Sequence, residues 1–432
     1  MPSIRRVVPK SFILAGAAGV AAVALSAAAG AVSAATYFAR RALTPDLLKP
    51  DDTEILGFDH DSVTLGLTPE TEQPGRYGLW LDGGRGHARV SSVLDVDRES
   101  GQVRRVLEGV DVGELAIGPA RWNQYYFAGG PQQSLGLPSR DVQIDSELGM
   151  MPAWEVRADK RFADRPAADR RFADKRVAGK TVEETAGDLR PDTWAILIHG
   201  RGASREECLR AVPVLHELGL TVLIPMYRND VGAPASPDGR YSLGLSEWRD
   251  CEAALLYAVD AGAREVILVG WSMGGAIILQ TLDRSWLSDR VKAVVLDAPV
   301  VDWADVLRHH GALNKIPGPI GSLSRSLIGH PWARRLVGVH EPLDVALTNW
   351  ENRSGELKHR TLLIHSLDDE FVPAGPSVSL AAKRPDLVRF EPWQGATHTK
   401  EWNHDPDRWD AVVRDFLAPS HTDQLVVPGV GP

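Results

Sequence analysis

The 432-residue chain has little cysteine: Cys208 and Cys251 are its only two, and both fall inside helix-like stretches. Two such residues exclude a disulfide framework, and the absence of any CxxC spacing excludes zinc and redox sites of that type. An excess of basic charge is also missing. Lys and Arg number 48 against 57 Asp and Glu, a formal charge of -9, with no basic stripe of the kind that phosphate neutralisation requires. Nucleic acid is therefore excluded as a partner. No propeller-like internal repeat is present either. What remains is ordinary globular material, 44% hydrophobic and 24% charged, in a chain long enough for roughly two domains plus appendages.

The N-terminus departs from that background. Arg5, Arg6 and Lys10 precede an uncharged, Ala-rich run from Ser11 to Ala39 that stops at Arg40 and Arg41. The run is long enough to span a bilayer. Residues 1–41 read as an uncleaved single-pass anchor, and the basic start favours a cytoplasmic N-terminus with the remainder exported. A cleaved signal peptide is the alternative, with Val32, Ser33 and Ala34 as a small-residue cleavage site. Arg5 and Arg6 match a twin-arginine signal poorly, because Val8 and Pro9 follow where that pattern prefers Phe and Leu.

Residues 51–156 alternate in short stretches, such as Ser62 to Leu67 and Tyr77 to Leu81, between Gly, Pro and Asp clusters, which predicts a small β-rich domain. Residues 157–190 form a charged linker in which Arg161-Phe162-Ala163-Asp164 recurs as Arg171-Phe172-Ala173-Asp174. From 191 to 420, strand-length apolar runs alternate with helix-length amphipathic ones, the pattern of repeated βαβ units and a mostly parallel sheet. Strands are expected at Trp194–Ile198, Leu220–Pro225, Glu265–Gly270, Val291–Leu296, Thr361–His365 and Val388–Glu391. An insertion at about 302–358 predicts a helical cap, and 421–432 a C-terminal tail.

The chemistry centres on Gly270-Trp271-Ser272-Met273-Gly274, which stands between a strand pattern and a helix pattern. A GxSxG elbow holds its serine in a strained conformation, and Gly270 and Gly274 lack the Cβ atoms that would keep strand and helix apart. The helix start aims its positive end at the site, with Met273 N–H as a candidate oxyanion donor. This arrangement resembles the α/β-hydrolase superfamily, whose chain order is Ser, acid, His. The resemblance spans about Pro191 to Leu417.

The acid station resembles His365-Ser366-Leu367-Asp368-Asp369-Glu370-Phe371-Val372-Pro373. The spacing to Val372 and Pro373 selects Asp369, with Asp368 and the earlier Asp297 as alternatives. The base station is Gly395-Ala396-Thr397-His398, so His398 is the expected base. His199-Gly200-Arg201-Gly202 is similar to an HGxG oxyanion loop, in which the Arg201 N–H would be the second donor and His199 structural. Tyr227 to Asp230, Tyr241, Gly244, Glu247 and Asp250 are similar in spacing to membrane-anchored serine hydrolases and the prolyl-oligopeptidase-like branch. The resemblance implies a serine hydrolase of esters, thioesters or amides, esterase- or lipase-like ahead of peptidase. No metal or organic cofactor is expected, and the partners are a small-molecule or lipid acyl substrate and the membrane. An acyltransferase with the same residues and an inert, membrane-tethered binding module are the alternative readings.

Overall fold

The computed structural model describes residues 28–45, 50–158 and 192–418. The linker expected over 157–190 lies outside these residues from 159 onward, as does the tail 421–432.

Six short strands come first: β1 (Thr53–Phe58), β2 (Ser62–Gly66), β3 (Tyr77–Leu81), β4 (Gly86–Asp97), β5 (Gln102–Val112) and β6 (Gly118–Asn123). They close into an antiparallel barrel in the order β1-β2-β5-β4-β3-β6, with β6 pairing back to β1. The alternation that predicts strands puts Ile55, Val63, Leu65, Leu79, Val90 and Val103 inside, and closure leaves no sheet edge. Arg105 is also fully buried. Its guanidinium donates to the carbonyls of Ser91, Thr71, Gln73 and Gly75 at 2.6 to 2.9 Å, and it lies over Tyr77 and Trp122. Each of those carbonyls, left unsatisfied, would cost roughly 1–3 kcal/mol. Arg105 therefore fixes the path of the 68–76 loop, which leaves the barrel for its neighbour.

That neighbour is an eight-stranded sheet in the order β14-β13-β12-β11-β9-β10-β8-β7. Strands β9 (Thr193–Ile198), β10 (Thr221–Pro225), β11 (Glu265–Trp271), β12 (Val291–Asp297), β13 (Arg360–Ser366) and β14 (Val388–Trp393) are mutually parallel. All six stand where the apolar runs predict them. They are apolar on both faces because helices cover both: Ile196 and Ile198 meet the helices Trp248–Asp260 and Met273–Arg284, while Ala195 and Leu197 meet the amphipathic helix Pro406–Leu417. Cys251 and Cys208 belong to these two separate cores, and both are free thiols.

Two boundaries differ from the sequence-based expectation. β7 (Ser139–Ser146) and β8 (Gly149–Val156) form a hairpin whose β8 pairs antiparallel with β10. The hairpin belongs to the eight-stranded sheet, so the β-rich domain ends near Asn123 and not at 156. Alternating polarity looks the same in a barrel strand and in an exposed edge hairpin, which is why composition did not separate them.

The second difference concerns where the N-terminal apolar run ends. No helix among the described residues is long and apolar enough to cross a membrane, and residues 1–27 of the expected 1–41 anchor lie outside them. Residues 28–43 are helical. Ala35, Ala39 and Leu43, four residues apart on one face, are buried in a core of the eight-stranded sheet, so the end of the apolar run packs on protein. Its exit is tied by Tyr241 N–H to Leu43 O (2.9 Å), Arg240 to Thr44 Oγ1 (2.6 Å) and Arg40 to Leu336 O (2.9 Å). The insertion after β12 is helical, Trp303–Leu313 and Gly318–Gly329 being its main pieces.

Candidate active site

β11 ends at Trp271 and the helix Met273–Arg284 begins two residues later, so Ser272 makes the whole turn with φ 50° and ψ -116°. A non-glycine residue pays roughly 1–3 kcal/mol for such a conformation. The turn closes only around glycine. A Cβ on Gly274 would lie 2.1 Å from Ile198 O, and one on Gly270 would lie 2.6 Å from Ile278 and 2.8 Å from the Gly274 backbone. Ser272 N–H donates to Asp297 O and Ser272 O accepts from Val300 N–H, both at 3.1 Å. The elbow is thereby pinned to the end of β12 and to the loop that follows it.

Ser272 Oγ lies 2.9 Å from His398 Nε2, and His398 Nδ1 lies 2.7 Å from Asp369 Oδ2. The remaining Asp369 oxygen accepts from the N–H groups of Phe371 and Val372 at 2.8 and 2.9 Å. Burial pushes the Asp369 carboxyl up, but His398 and the neighbouring His365 outweigh it and hold the group well below the usual carboxylate range. Ionised Asp369 takes the Nδ1 proton of His398 in a hydrogen bond, which leaves the Nε2 lone pair facing the Ser272 hydroxyl. Phe371 stacks on the imidazole at 5.0 Å.

The alternative acids have other work. Asp368 accepts from Gly395 N–H (2.8 Å), shaping the loop that carries His398. Asp297 is buried under the elbow and accepts from the indoles of Trp271 (3.2 Å) and Trp409 (2.8 Å). Beside it, Glu401 accepts from Ser366 N–H at 3.0 Å. Burial, with Asp297 and Asp369 close by, pushes the Glu401 carboxyl well above its ordinary value.

The 199–202 loop is held from several sides. Gly200 N–H donates to Glu207 (2.9 Å), Gly202 N–H to Tyr241 Oη (3.1 Å), and Tyr227 Oη to Gly200 O (3.0 Å). His199 is fully buried with Nδ1 at Gly200 O (3.0 Å) and Nε2 at Asp230 (2.9 Å). Burial lowers its pKa, but the Asp230 carboxylate more than offsets this and the net shift is upward. His199 is structural in this geometry, as the sequence predicts. The Arg201 side chain runs over Tyr241 and donates to Thr44 O at 2.8 Å, tying the loop to the docked N-terminal helix. Met273 opens its helix, where the first N–H groups have no intrahelical acceptor.

A cavity of about 490 Å³ opens over these groups, lined by Ser272, His398, Gly200 to Ala203, Leu313, Phe371 and Lys400, and also by Glu70 and Gln124 of the barrel side. Glu70 forms an ion pair with Lys400 across its rim. Sequence reasoning missed Glu70, Gln124, Glu207 and Glu401. None carries a motif, and only Glu207, in the helical run after the oxyanion loop, stood near one.

A sequence model described as the alpha/beta hydrolase family matches residues 195–415, about half of the chain. The chain belongs to the alpha/beta hydrolase family. Residues 54–123, which are the barrel, match a model described as a domain of unknown function (DUF8805). No curated protein matches this hydrolase. Among solved structures it is similar to a Pyrococcus furiosus esterase at 17% identity, covering 67% of this chain and 93% of that one with a TM-score of 0.46. A Xanthomonas campestris α/β serine hydrolase without a lid shares 14% identity over 65% and 96% of the two chains, TM-score 0.40. Est1E from Butyrivibrio proteoclasticus, bound to ferulic acid, shares 16% over 64% and 97%, TM-score 0.46.

The raised Glu401 carboxyl has a consequence for stability. Above the unfolded-state value the unfolded chain releases this proton while the folded hydrolase keeps it, so stability falls as pH rises, by up to roughly 1.4 kcal/mol per pH unit, until the folded value is passed. Glu401→Gln cannot titrate. Urea midpoints measured from about pH 5 to about pH 8 are expected to fall less steeply for the variant than for the parent; parallel slopes would show that Glu401 ionises normally.

Proposed function

We propose that this protein is a serine hydrolase that cleaves carboxylic esters through an acyl-Ser272 intermediate. The observation that carries the reading is the hydrogen-bonded line from Ser272 Oγ through His398 to Asp369. His398 Nε2 accepts the hydroxyl proton as Oγ attacks the substrate carbonyl, and the imidazolium that forms is stabilised by buried, ionised Asp369. The oxygen of the tetrahedral intermediate is received by the backbone N–H groups of Met273 and Arg201, aided by the helix start. Collapse breaks the acyl–oxygen bond, and His398 hands its proton to the departing alcohol. Water then attacks the acyl-serine by the same route, releasing the acid and restoring Ser272. An ester ranks ahead of an amide because an alkoxide leaves more readily than an amine.

Fluorophosphonate labelling tests this directly. The wild type is expected to label, whereas Ser272→Ala and His398→Ala do not, and Asp369→Asn is expected to slow ester turnover by roughly 10⁴ through loss of the correct tautomer. A folded wild type that neither labels nor turns over esters would contradict the proposal and favour an inert binding module. Product transferred to an added alcohol in preference to water would favour the acyltransferase reading.

The uncharged run of residues 11–27, leading into the docked helix, further supports attachment to a membrane. Full-length protein is expected to stay with membranes through a carbonate wash and to be released when residues 1–27 are removed. Equal behaviour of the two forms would contradict the attachment.

A further inference from the structure

The barrel touches the hydrolase where its chemistry is set. Gln124 follows β6, and its side-chain amide donates to Glu207 Oε1 at 3.1 Å, while Glu207 Oε2 accepts from Gly200 N–H in the oxyanion loop. Tyr125, the next residue, accepts from Ser204 N–H at 3.0 Å through its hydroxyl. Two consecutive residues at the barrel's exit thus grip the 200–207 segment at two points. The backbone carbonyl of Gln124 also accepts from Asn403 Nδ2 (2.9 Å), and Asn403 Oδ1 accepts from Arg210 (3.0 Å). Arg210 in turn donates to Thr399 O (2.7 Å), immediately after His398.

Glu207 is the hinge of this network. Its side chain is 2% exposed and lies 3.7 Å from Arg210, beyond hydrogen-bond range. Burial pushes its carboxyl up, yet Arg210, the Gly200 N–H and the Gln124 amide more than compensate, and it stays below the usual carboxylate range. A buried anion with two fixed hydrogen-bond donors keeps one geometry. Without the Gln124 donor, Glu207 Oε1 is left facing the Arg210 guanidinium at 3.7 Å, and nothing from the Gln124 side holds the carboxylate in the geometry that accepts Gly200 N–H. The interface leaves little room for adjustment, because a Cβ on Gly75 in the barrel loop would lie 1.9 Å from Asn403 O.

We propose that the segment leaving the barrel is a working part of the active site, with Gln124 as a positioning residue that acts through Glu207 on Gly200 N–H, one peptide before the Arg201 N–H that receives the oxyanion. The inference rests on the serine hydrolase reading above. It assigns a role to the barrel that the hydrolase sheet cannot fill, since no residue of that sheet supplies this donor to Glu207.

The test uses the full chain and a chromogenic short-chain ester. Gln124→Met keeps size and removes the donor. It is expected to lower kcat roughly ten- to a hundredfold with KM within about twofold, because a displaced donor acts on the transition state and not on ground-state binding. Affinity for a trifluoromethyl ketone, which forms the tetrahedral adduct, is expected to fall by the same factor, while affinity for the product carboxylate stays unchanged. The reciprocal exchange Gln124→Glu with Glu207→Gln restores a donor and an acceptor in reversed order. It is expected to recover kcat at least about tenfold over Gln124→Glu alone. A Gln124→Met protein with unchanged kcat overturns the proposal. So does a loss shared equally between adduct and product affinity, or a reciprocal exchange that recovers nothing. An inactive, unlabelled wild type would instead overturn the hydrolase reading itself, a result distinct from all of these.

Discussion

The approach of the Met273–Arg284 helix to the end of β9 is the constraint on which the site depends. Ile198 O comes so near the helix start that a Cβ at position 274 would sit 2.1 Å away. Strand β11 must therefore turn into its helix through a single residue, and Ser272 carries that turn at positive φ. The strain is held by apolar burial on both faces of the sheet and by the hydrogen bonds of the elbow to Asp297 O and Val300 N–H. The same contact brings the 199–202 loop, which continues from β9, beside the serine. One packing event thus places Ser272, helix start and loop together.

Around this point several buried ionic groups have defined partners. Asp369 is ionised against His398 and His365, Glu207 against Arg210, and Arg228 is paired bidentate with Asp250 at 2.8 and 2.9 Å. Glu401 differs, since burial and the nearby Asp297 and Asp369 push its carboxyl well above its ordinary value. These pairs explain why a site assembled from loops is held to hydrogen-bond tolerance: each loop ends on a buried ionic or peptide contact.

Much of this was legible in the sequence because it rests on local pattern. The six parallel strands are apolar runs of strand length, and GxSxG between a strand and a helix is a steric statement about Ser272. The choice among Asp369, Asp368 and Asp297 followed from spacing to Val372 and Pro373, and the geometry brings Asp369 to His398. What was illegible depends on tertiary pairing. The hairpin 139–156 has the alternation of any edge strand, and only its pairing with β10 assigns it to the hydrolase. Ala35 and Ala39 lie in an Ala-rich run where a face that packs on protein has the same composition as one that meets lipid. Gln124 and Glu207 are 83 residues apart, and no short-range pattern connects them.

The central claim is that Ser272 carries the acyl group during turnover. The direct measurement is peptide mapping by mass spectrometry of protein acid-quenched within milliseconds of mixing with an activated short-chain ester. The account predicts the mass of the acyl group on the peptide containing Ser272, appearing with the first burst of alcohol release and absent from Ser272→Ala. Turnover with no adduct at Ser272, or with an adduct on another residue that survives Ser272→Ala, would contradict it.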